Sequence, residues 1–206
     1  VLGNNYGVRS PNWNNDFGAL TVGSGTSGVF GAVGAGNSLV GSATGDLISG
    51  NGLQSLFSGR WVMFSDFSTK GAVTVFDPTA MPVGAVGAAN SLIGNVGDEV
   101  GSGGISFVSS SQWAVLSPSW DASMIETDAG AVTFLNSSTG QFDGTAIAFA
   151  GMVDATNSLV GATQDDQIGS DGIQYITGST YGVLSPMFDN VGAGATESGA
   201  ISWYVP

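Results

Sequence analysis

The chain has 206 residues, of which 34 are glycine and none is cysteine or histidine, and its formal net charge is −13 at pH 7. Disulfide and thiolate chemistry are therefore absent, and no apolar run approaches the ~18 residues that a membrane-spanning helix needs. Three scattered cations, Arg9, Arg60 and Lys70, cannot form the cationic face that nucleic acid or an anionic membrane surface requires. The composition predicts no nucleic-acid partner and no membrane insertion.

One unit of roughly 50 residues recurs about four times along the chain. In chain order, a copy holds an aromatic-led apolar strand, a Ser-Pro type of turn with a second aromatic residue, a glycine-opened apolar strand, an Asn-Ser-Leu segment, and an acidic, glycine-rich turn that leads to a short alternating strand. The aromatic-led strands begin at Tyr6, Trp61, Trp113 and Tyr181. The glycine-opened strands cover residues 18–22, 71–76, 130–135 and 199–204. The Asn-Ser-Leu segments cover residues 37–41, 90–94 and 157–161, and the fourth copy has no such segment in this sequence.

This pattern predicts an all-β repeat protein. Period-two alternation with β-branched and aromatic residues indicates strands, glycine, asparagine and aspartate supply turns, and no segment has the sustained apolar face of a helix. The approximate copies of the single repeat domain, 1–206, are residues 1–52, 53–104, 105–172 and 173–206. A β-propeller with about four blades of four strands fits a unit of this length, and a β-solenoid is the alternative. Residues 1–5 carry no secretory signal and are interpreted as a cut within a repeat.

The ends of the apolar strands resemble those of a known class of propeller blade. Ser117-Pro118-Ser119-Trp120, followed by Gly130-Ala131-Val132, is similar to the FG-GAP blade of integrin-type propellers, where the corresponding strand ends in Ala-Pro and a Gly-Ala-Val-Tyr strand follows. Nearly the whole chain also resembles the tandem repeats of bacterial haemagglutinin-like adhesins. These resemblances imply an extracellular or cell-surface bacterial β-propeller that serves in attachment.

FG-GAP blades bind calcium through an Asp-x-Asp-x-Asp-Gly-x-x-Asp loop, and this chain departs from that pattern. The candidate metal ligands are Asp166 and Asp171 in one turn and Asp98 in another. Calcium takes six to eight oxygen ligands, mostly from one place. Calcium is therefore disfavoured, no other cofactor is predicted, and the preferred interpretation is that these aspartates shape tight turns.

The sequence offers no machinery for the usual acid–base or nucleophilic catalysis. A nucleophilic triad lacks its base, because there is no histidine and Lys70 is the only lysine. The adjacent acidic pairs Asp98-Glu99 and Asp165-Asp166 lie in turns that recur in the other copies, so the turn accounts for them without catalysis. The chain is predicted not to be an enzyme.

Two features of the sequence are candidates for binding. An aromatic residue follows each Ser-Pro type of turn, and these residues are either platforms for stacking on sugars or, as preferred, core wedges between blades. They are Trp13, Phe67, Trp120 and Phe188. Residues 121–128 and 141–154 form long loops that only the third copy has, and binding residues concentrate on such loops. The prediction is a non-enzymatic adhesion module for a glycan or protein ligand, and the alternative is a structural assembly unit that self-associates through an open sheet edge.

Overall fold

Residues 4–178 and 180–205 are described by the computed structural model, so residues 1–3 of the segment interpreted as a cut lie outside the described residues. In chain order the strands are β1 (Asn5–Ser10), β2 (Ala19–Ser24), β3 (Leu39–Val40), β4 (Gly52–Ser55), β5 (Trp61–Ser65), β6 (Ala72–Phe76), β7 (Gly84–Ala85), β8 (Leu92–Ile93), β9 (Ile105–Phe107), β10 (Gln112–Ser117), β11 (Ala131–Asn136), β12 (Gln141–Phe142), β13 (Gly151–Met152), β14 (Leu159–Val160), β15 (Ile173–Thr177), β16 (Thr180–Ser185) and β17 (Ala200–Tyr204). The described helical segments are α1 (Trp13–Asp16) and two 3₁₀ turns, Pro78–Ala80 and Val191–Ala193. Neither α1 nor the 3₁₀ turns are long and apolar enough to cross a membrane.

These strands form four separate sheets, one for each predicted copy. The first sheet has the order β1-β2-β3-β7, and the second has the order β13-β8-β6-β5-β4. The third has the order β12-β11-β10-β9 with β14 also paired to β11, and the fourth has the order β15-β16-β17. The protein is therefore an all-β repeat protein with almost no helix, as the sequence predicts.

The inner sheets are buried on both faces, which explains their apolar strands without polar alternation. Successive residues of a strand point to opposite faces of its sheet. In β5, Trp61 and Met63 belong to the core shared with the first sheet, whereas Val62 and Phe64 belong to the core shared with the third sheet. A run such as Trp61–Phe64 thus supplies two cores at once, as expected of a sheet covered on both sides.

The four sheets stack face to face in chain order. One hydrophobic cluster joins the first and second sheets, another joins the second and third, and another joins the third and fourth. None of these clusters, which are drawn from residues 4–178 and 180–205, joins the first sheet to the fourth. Val8 on the outer face of the first sheet is 46% exposed, and Trp203 on the fourth sheet is 65% exposed. The stack therefore has two end faces that its own sheets leave uncovered.

One short linking strand connects each of the first two sheets to the copy that follows it. β7, from the second copy, adds to the first sheet in parallel with β3, and β13, from the third copy, adds to the second sheet in parallel with β8. The chain then returns to its own sheet through the Asn-Ser-Leu segment. Each link thus makes a strand of one copy the edge strand of the copy before it.

In the first three copies, the glycine that opens the apolar strand is required by close packing against the acidic turn. Gly71 and Gly130 have φ of +71° and +79°, a region that side chains with a Cβ rarely adopt. A Cβ on Gly71 would overlap the backbone nitrogen of Val100, and one on Gly130 would overlap that of Ile168. The recurrence of this glycine therefore reflects backbone contact within the repeat.

Candidate functional site

A cleft of about 560 Å³ lies between the inserted loop of the third copy and the fourth sheet. Phe134, Phe142 and Asp143 line one part of it, and Trp203 and Tyr204 of β17 line another. Its volume is within the range of roughly 300–1,000 Å³ that is typical of ligand sites. The sequence predicts a private binding site at residues 121–128 or 141–154, and the second of these segments lines this cleft.

The base of the cleft is an aromatic pair tied to the inserted loop. The rings of Phe134 and Tyr204 stack with centroids 3.7 Å apart and planes 10° from parallel. The Tyr204 hydroxyl donates a hydrogen bond to Asp143 Oδ2. Burial raises the pKa of Tyr204 well above its usual value, and the hydrogen bond to Asp143 and the charge of that carboxylate raise it further. The phenol is therefore neutral at physiological pH.

The inserted loop is anchored to the body of the third copy on either side of its exposed tip. Phe142 and Phe149 are buried in the core, with ring centroids 5.1 Å apart. The backbone N–H of Asp143 donates to the carbonyl of Phe134 at 3.0 Å, which fixes the loop on β11. Ile147, between these anchors, remains exposed at the rim. The wall of the cleft is therefore held by core packing while its rim is open to solvent.

The other long loop of the third copy has a different character. Met124 is 99% exposed and its neighbour Ile125 is also exposed. The loop closes on itself, because the backbone N–H of Asp128 donates to Asp121 Oδ1 at 2.8 Å. Burial, followed by the charges of Asp121 and Asp165, raises the pKa of Asp128. This loop presents two apolar side chains to solvent and does not enclose them.

The predicted metal ligands lie in turns and use their oxygens there. Asp166 Oδ2 accepts the backbone N–H groups of Ala162 and Thr163, both at 2.9 Å, and its Oδ1 accepts that of Asp189 at 2.9 Å. Burial acts to raise the pKa of Asp166, but these hydrogen bonds outweigh it and hold the pKa below its usual value.

Asp98 is arranged in the same way in the second copy. Its carboxylate accepts the backbone N–H groups of Asn95 at 2.6 Å and Asp121 at 3.3 Å, although burial leaves its pKa raised. Asp171 is exposed and belongs to the turn before β15. The structure does not bring Asp98 to the turn of Asp166 and Asp171, and within residues 4–178 and 180–205 no group of three or more acidic side chains is arranged to hold a metal.

The recurrent aromatic residues pack between a copy's own sheet and the sheet before it. Phe67 and Trp120 are 8% and 7% exposed and lie in the cores of the first and second sheet interfaces, and Phe188 packs against the core between the third and fourth sheets. The wedge interpretation is confirmed for these three residues. Trp13 is half-buried and belongs to none of these clusters; no described sheet precedes its copy, so for Trp13 the wedge interpretation stays a prediction.

The Asn-Ser-Leu segment has a structural task that its sequence alone does not reveal. In the second copy, Asn90 Nδ2 donates to the carbonyl of Ala85 at 2.9 Å and so fixes the linking strand β7. The hydroxyl of Ser91 bonds to that of Thr74 on β6 at 2.7 Å, and Leu92 enters the core. The first and third copies repeat these contacts through Asn37 and Asn157 and through the pairs Thr21–Ser38 and Thr133–Ser158. The threonine at the same place in the first three glycine-opened strands is the signal in the sequence that could have revealed this pairing.

A family model described as a repeat of unknown function, DUF5650, matches residues 2–50, 58–102 and 107–170. These matches cover well over half of the chain. The chain belongs to this repeat family. A search of curated proteins gave no match.

The three matched segments of the DUF5650 family each contain an Asn-Ser-Leu segment and the acidic turn after it. The cleft lies where the third matched repeat meets the fourth sheet, which is outside the matched segments. Sequence reasoning found the inserted loop, which contains Asp143, but missed Phe134, Trp203 and Tyr204 as lining residues. The β17 residues had no distinguishing signal, because they occupy an ordinary apolar strand of the repeat.

Proposed function

We propose that this chain is a non-enzymatic binding module of a bacterial extracellular or cell-surface adhesion protein, and that its partner binds in the cleft between the inserted loop and β17. The observation that carries the proposal is that the loop found only in the third copy forms a wall of this cleft. A rigid repeat scaffold that holds one private loop over an aromatic surface is a common way of building a binding site.

The chemistry of the cleft suits a neutral glycan or an extended polypeptide. Trp203 borders the cleft and is 65% exposed, because its side chain lies on the outer face of the fourth sheet; at this rim its indole face can stack on the C–H surface of a sugar or on an apolar side chain. Asp143, Asp154 and Asn157 supply polar groups around it. A formal net charge of −13 disfavours a strongly anionic ligand.

The titratable groups of the cleft favour binding without catalysis. A hydrolytic acid must keep its proton near neutral pH, so it needs a raised pKa. The hydrogen bonds from the Thr156 hydroxyl and backbone N–H instead lower the pKa of Asp154. The raised pKa of Tyr204 keeps that phenol from acting as a base. We further propose that no cofactor takes part and that the aspartates of the turns act without calcium.

We propose that the four sheets are blades of an FG-GAP-like β-propeller in which the first and fourth sheets do not pack directly against each other. The face-to-face stacking of the four mainly antiparallel sheets supports this, and the exposure of Val8 and Trp203 disfavours closure between the end sheets described here. A linear, solenoid-like stack is the alternative.

A second function, structural assembly, is favoured by the outer face of the fourth sheet. Val132 and Phe134 of β11 turn toward the next sheet, and Val132 is fully buried there. Ile201 and Trp203 hold the corresponding positions of β17 and are exposed. Sedimentation across a concentration series tests this function. Reversible association is expected if copies stack through this face, and a monomer at all concentrations contradicts it.

Binding is tested by probing a glycan array and a peptide array with the labelled chain and titrating the hits by fluorescence. We expect Trp203→Ala to weaken binding at least about tenfold, because an aromatic anchor contributes about 2 kcal/mol or more. Phe30→Ala is the matched control, since Phe30 is exposed in the first copy and is not a lining residue of the cleft. Equal affinities of the two variants for every hit contradict this location of the site.

A further inference from the structure

We infer that the cleft accepts an extended linking strand from another repeat of this family, paired in parallel with β14 (Leu159–Val160). The inference rests on the proposed function, because the binding site is the same cleft, and it names the partner as a polypeptide strand. The two links already present in the chain define both the geometry and the sequence of that strand.

The existing links use one hydrogen-bond pattern. At the first link, the N–H of Gly84 donates to the carbonyl of Ser38 and the N–H of Val86 donates to that of Val40, both at 3.0 Å. At the second link, the N–H of Gly151 donates to Ser91 at 3.0 Å and that of Val153 donates to Ile93 at 3.1 Å. The acceptor is thus always the Asn-Ser-Leu strand of the copy before.

β14 is built like these acceptor strands. It pairs with β11 in the same antiparallel register, with Ala131 opposite Val160. The N–H of Gly161 donates to the carbonyl of Gly130 at 3.0 Å, as that of Gly41 donates to Gly18 at 3.1 Å. Alternate residues of an antiparallel pair direct their backbone groups away from the shared ladder, so those of Val160 point away from β11. The acceptor geometry is therefore complete in the third copy.

No described strand pairs with β14 on that side. Ser38 and Ser91 are fully buried, whereas Ser158, at the equivalent place, is only half-buried. Leu159 is likewise half-buried, and both Ser158 and Leu159 line the cleft. The cleft therefore borders the edge that a linking strand covers in the other copies, and an uncovered strand edge is a template for pairing.

The two links also define which strand fits. Each is Gly-x-Val followed by an asparagine four residues after the valine, in residues 84–90 and 151–157. Gly84 and Gly151 have φ of +108° and +122°, which favours glycine, and both valines enter a core. The first copy repeats this sequence at Gly31-Ala32-Val33 with Asn37, and Asn37 Nδ2 donates to the carbonyl of Ala32 at 3.0 Å. The partner is thus a Gly-x-Val segment closed by asparagine, which repeats of this family carry.

The test adds a peptide with the sequence of residues 83–94 to the full chain and measures hydrogen exchange at Val160. A parallel strand covers the Val160 edge, so we expect its amide exchange to slow at least about tenfold. Two control peptides, with the equivalents of Gly84→Val and Asn90→Ala, are expected to give no protection. Equal protection by the control peptides overturns the inference.

Two protein variants localise the effect. Val160→Pro removes the edge N–H, and Ala155→Trp fills the cleft from an exposed turn residue without touching the β11 ladder. Both are expected to abolish protection of the cleft-lining amides, while far-ultraviolet circular dichroism and exchange at Leu92 remain as in the parent chain. Protection that survives Ala155→Trp overturns the inference.

The remaining outcomes separate this inference from the proposed function. If a glycan binds in the cleft in a manner that depends on Trp203 and the peptide does not bind, the strand inference is wrong and the binding function stands. If neither binds, both are wrong. Protection of Val160 that grows with the concentration of the chain alone, and is lost in Asn37→Ala, supports the inference with a second copy as the donor.

Discussion

Replacing Trp120 by alanine tests whether the aromatic residues of the turns hold neighbouring sheets together. Trp120 is 7% exposed and belongs to the core that joins the second and third sheets. A large aromatic side chain buries ~200 Å², which at about 25 cal/mol per Å² corresponds to about 5 kcal/mol. Measured truncations of core aromatics cost about 3–5 kcal/mol. We expect the free energy of unfolding to fall by this amount, and the melting temperature to fall by roughly 6–20 °C for a chain of this size.

Trp13→Ala is the matched control for this substitution. Trp13 follows the same Ser-Pro type of turn but is half-buried and lies outside the core clusters of the described residues. Its removal should therefore cost less than about 1 kcal/mol, a fraction of the full core penalty. Urea denaturation followed by circular dichroism measures both variants, provided that the dependence on denaturant is unchanged. Equal losses in the two variants, or no loss in Trp120→Ala, would refute the wedge interpretation.

Three further predictions concern the hydroxyl pairs, the turns and the cleft. Ser91→Ala should lower the free energy of unfolding by about 1–3 kcal/mol, because the buried Thr74 hydroxyl loses its hydrogen-bond partner. Ser158→Ala should lower it less, since Ser158 is half-buried. Urea denaturation measures both variants. Addition of a chelator should leave the melting temperature unchanged. A bound metal ion at 100 times its dissociation constant would stabilise the fold by roughly 2.7 kcal/mol, so a drop in melting temperature that corresponds to this loss would contradict the turn-shaping role of Asp98 and Asp166. Because the pKa of Tyr204 is raised in the folded chain, only the unfolded chain ionises this phenol near pH 10, so folding stability should fall as pH rises above about 10. Tyr204→Phe should remove that part of the loss in unfolding measurements from about pH 8 to 11, and parallel pH profiles of the two proteins would contradict it.

The strands that the sequence predicts well are those whose pattern is local. The aromatic-led stretch from Trp61 and the glycine-opened stretch 71–76 match β5 and β6 within one residue. Their unbroken apolar runs also predict burial on both faces. These features follow from residues that sit next to each other in the chain, so one sequence is enough to find them.

The linking strands could not be predicted in this way. Gly84-Ala85 and Gly151-Met152 carry no strand propensity, since glycine and alanine are depleted in strands. They are extended only because the edge of the preceding sheet offers them carbonyl groups. The same dependence on tertiary context explains Trp13, whose pattern equals that of Trp120 while the sheet it would contact is missing from the described residues.

One wall of the candidate cleft could be predicted from the sequence, and the other could not. The unique length of the third copy marks residues 141–154 as a private loop, and this loop forms one wall. The other wall uses Trp203 and Tyr204, whose strand β17 follows the ordinary repeat pattern. What distinguishes them is their position beside the edge of β14 that no described strand covers. That position depends on which strands pair across neighbouring copies and not on the sequence of β17.

The links make each copy depend on both of its neighbours. Asn90 fixes the strand that completes the first sheet, and it directly precedes Ser91 and Leu92, which pair with β6 and enter the core of the second sheet. One segment therefore joins two sheets by hydrogen bonds and by apolar contact. In such a stack, stability is the sum of the stability of each unit and the interfaces between neighbours. In the third copy the Asn-Ser-Leu strand β14 keeps its contacts with β11 and the core, while no strand of the described residues pairs with its other edge, at the cleft.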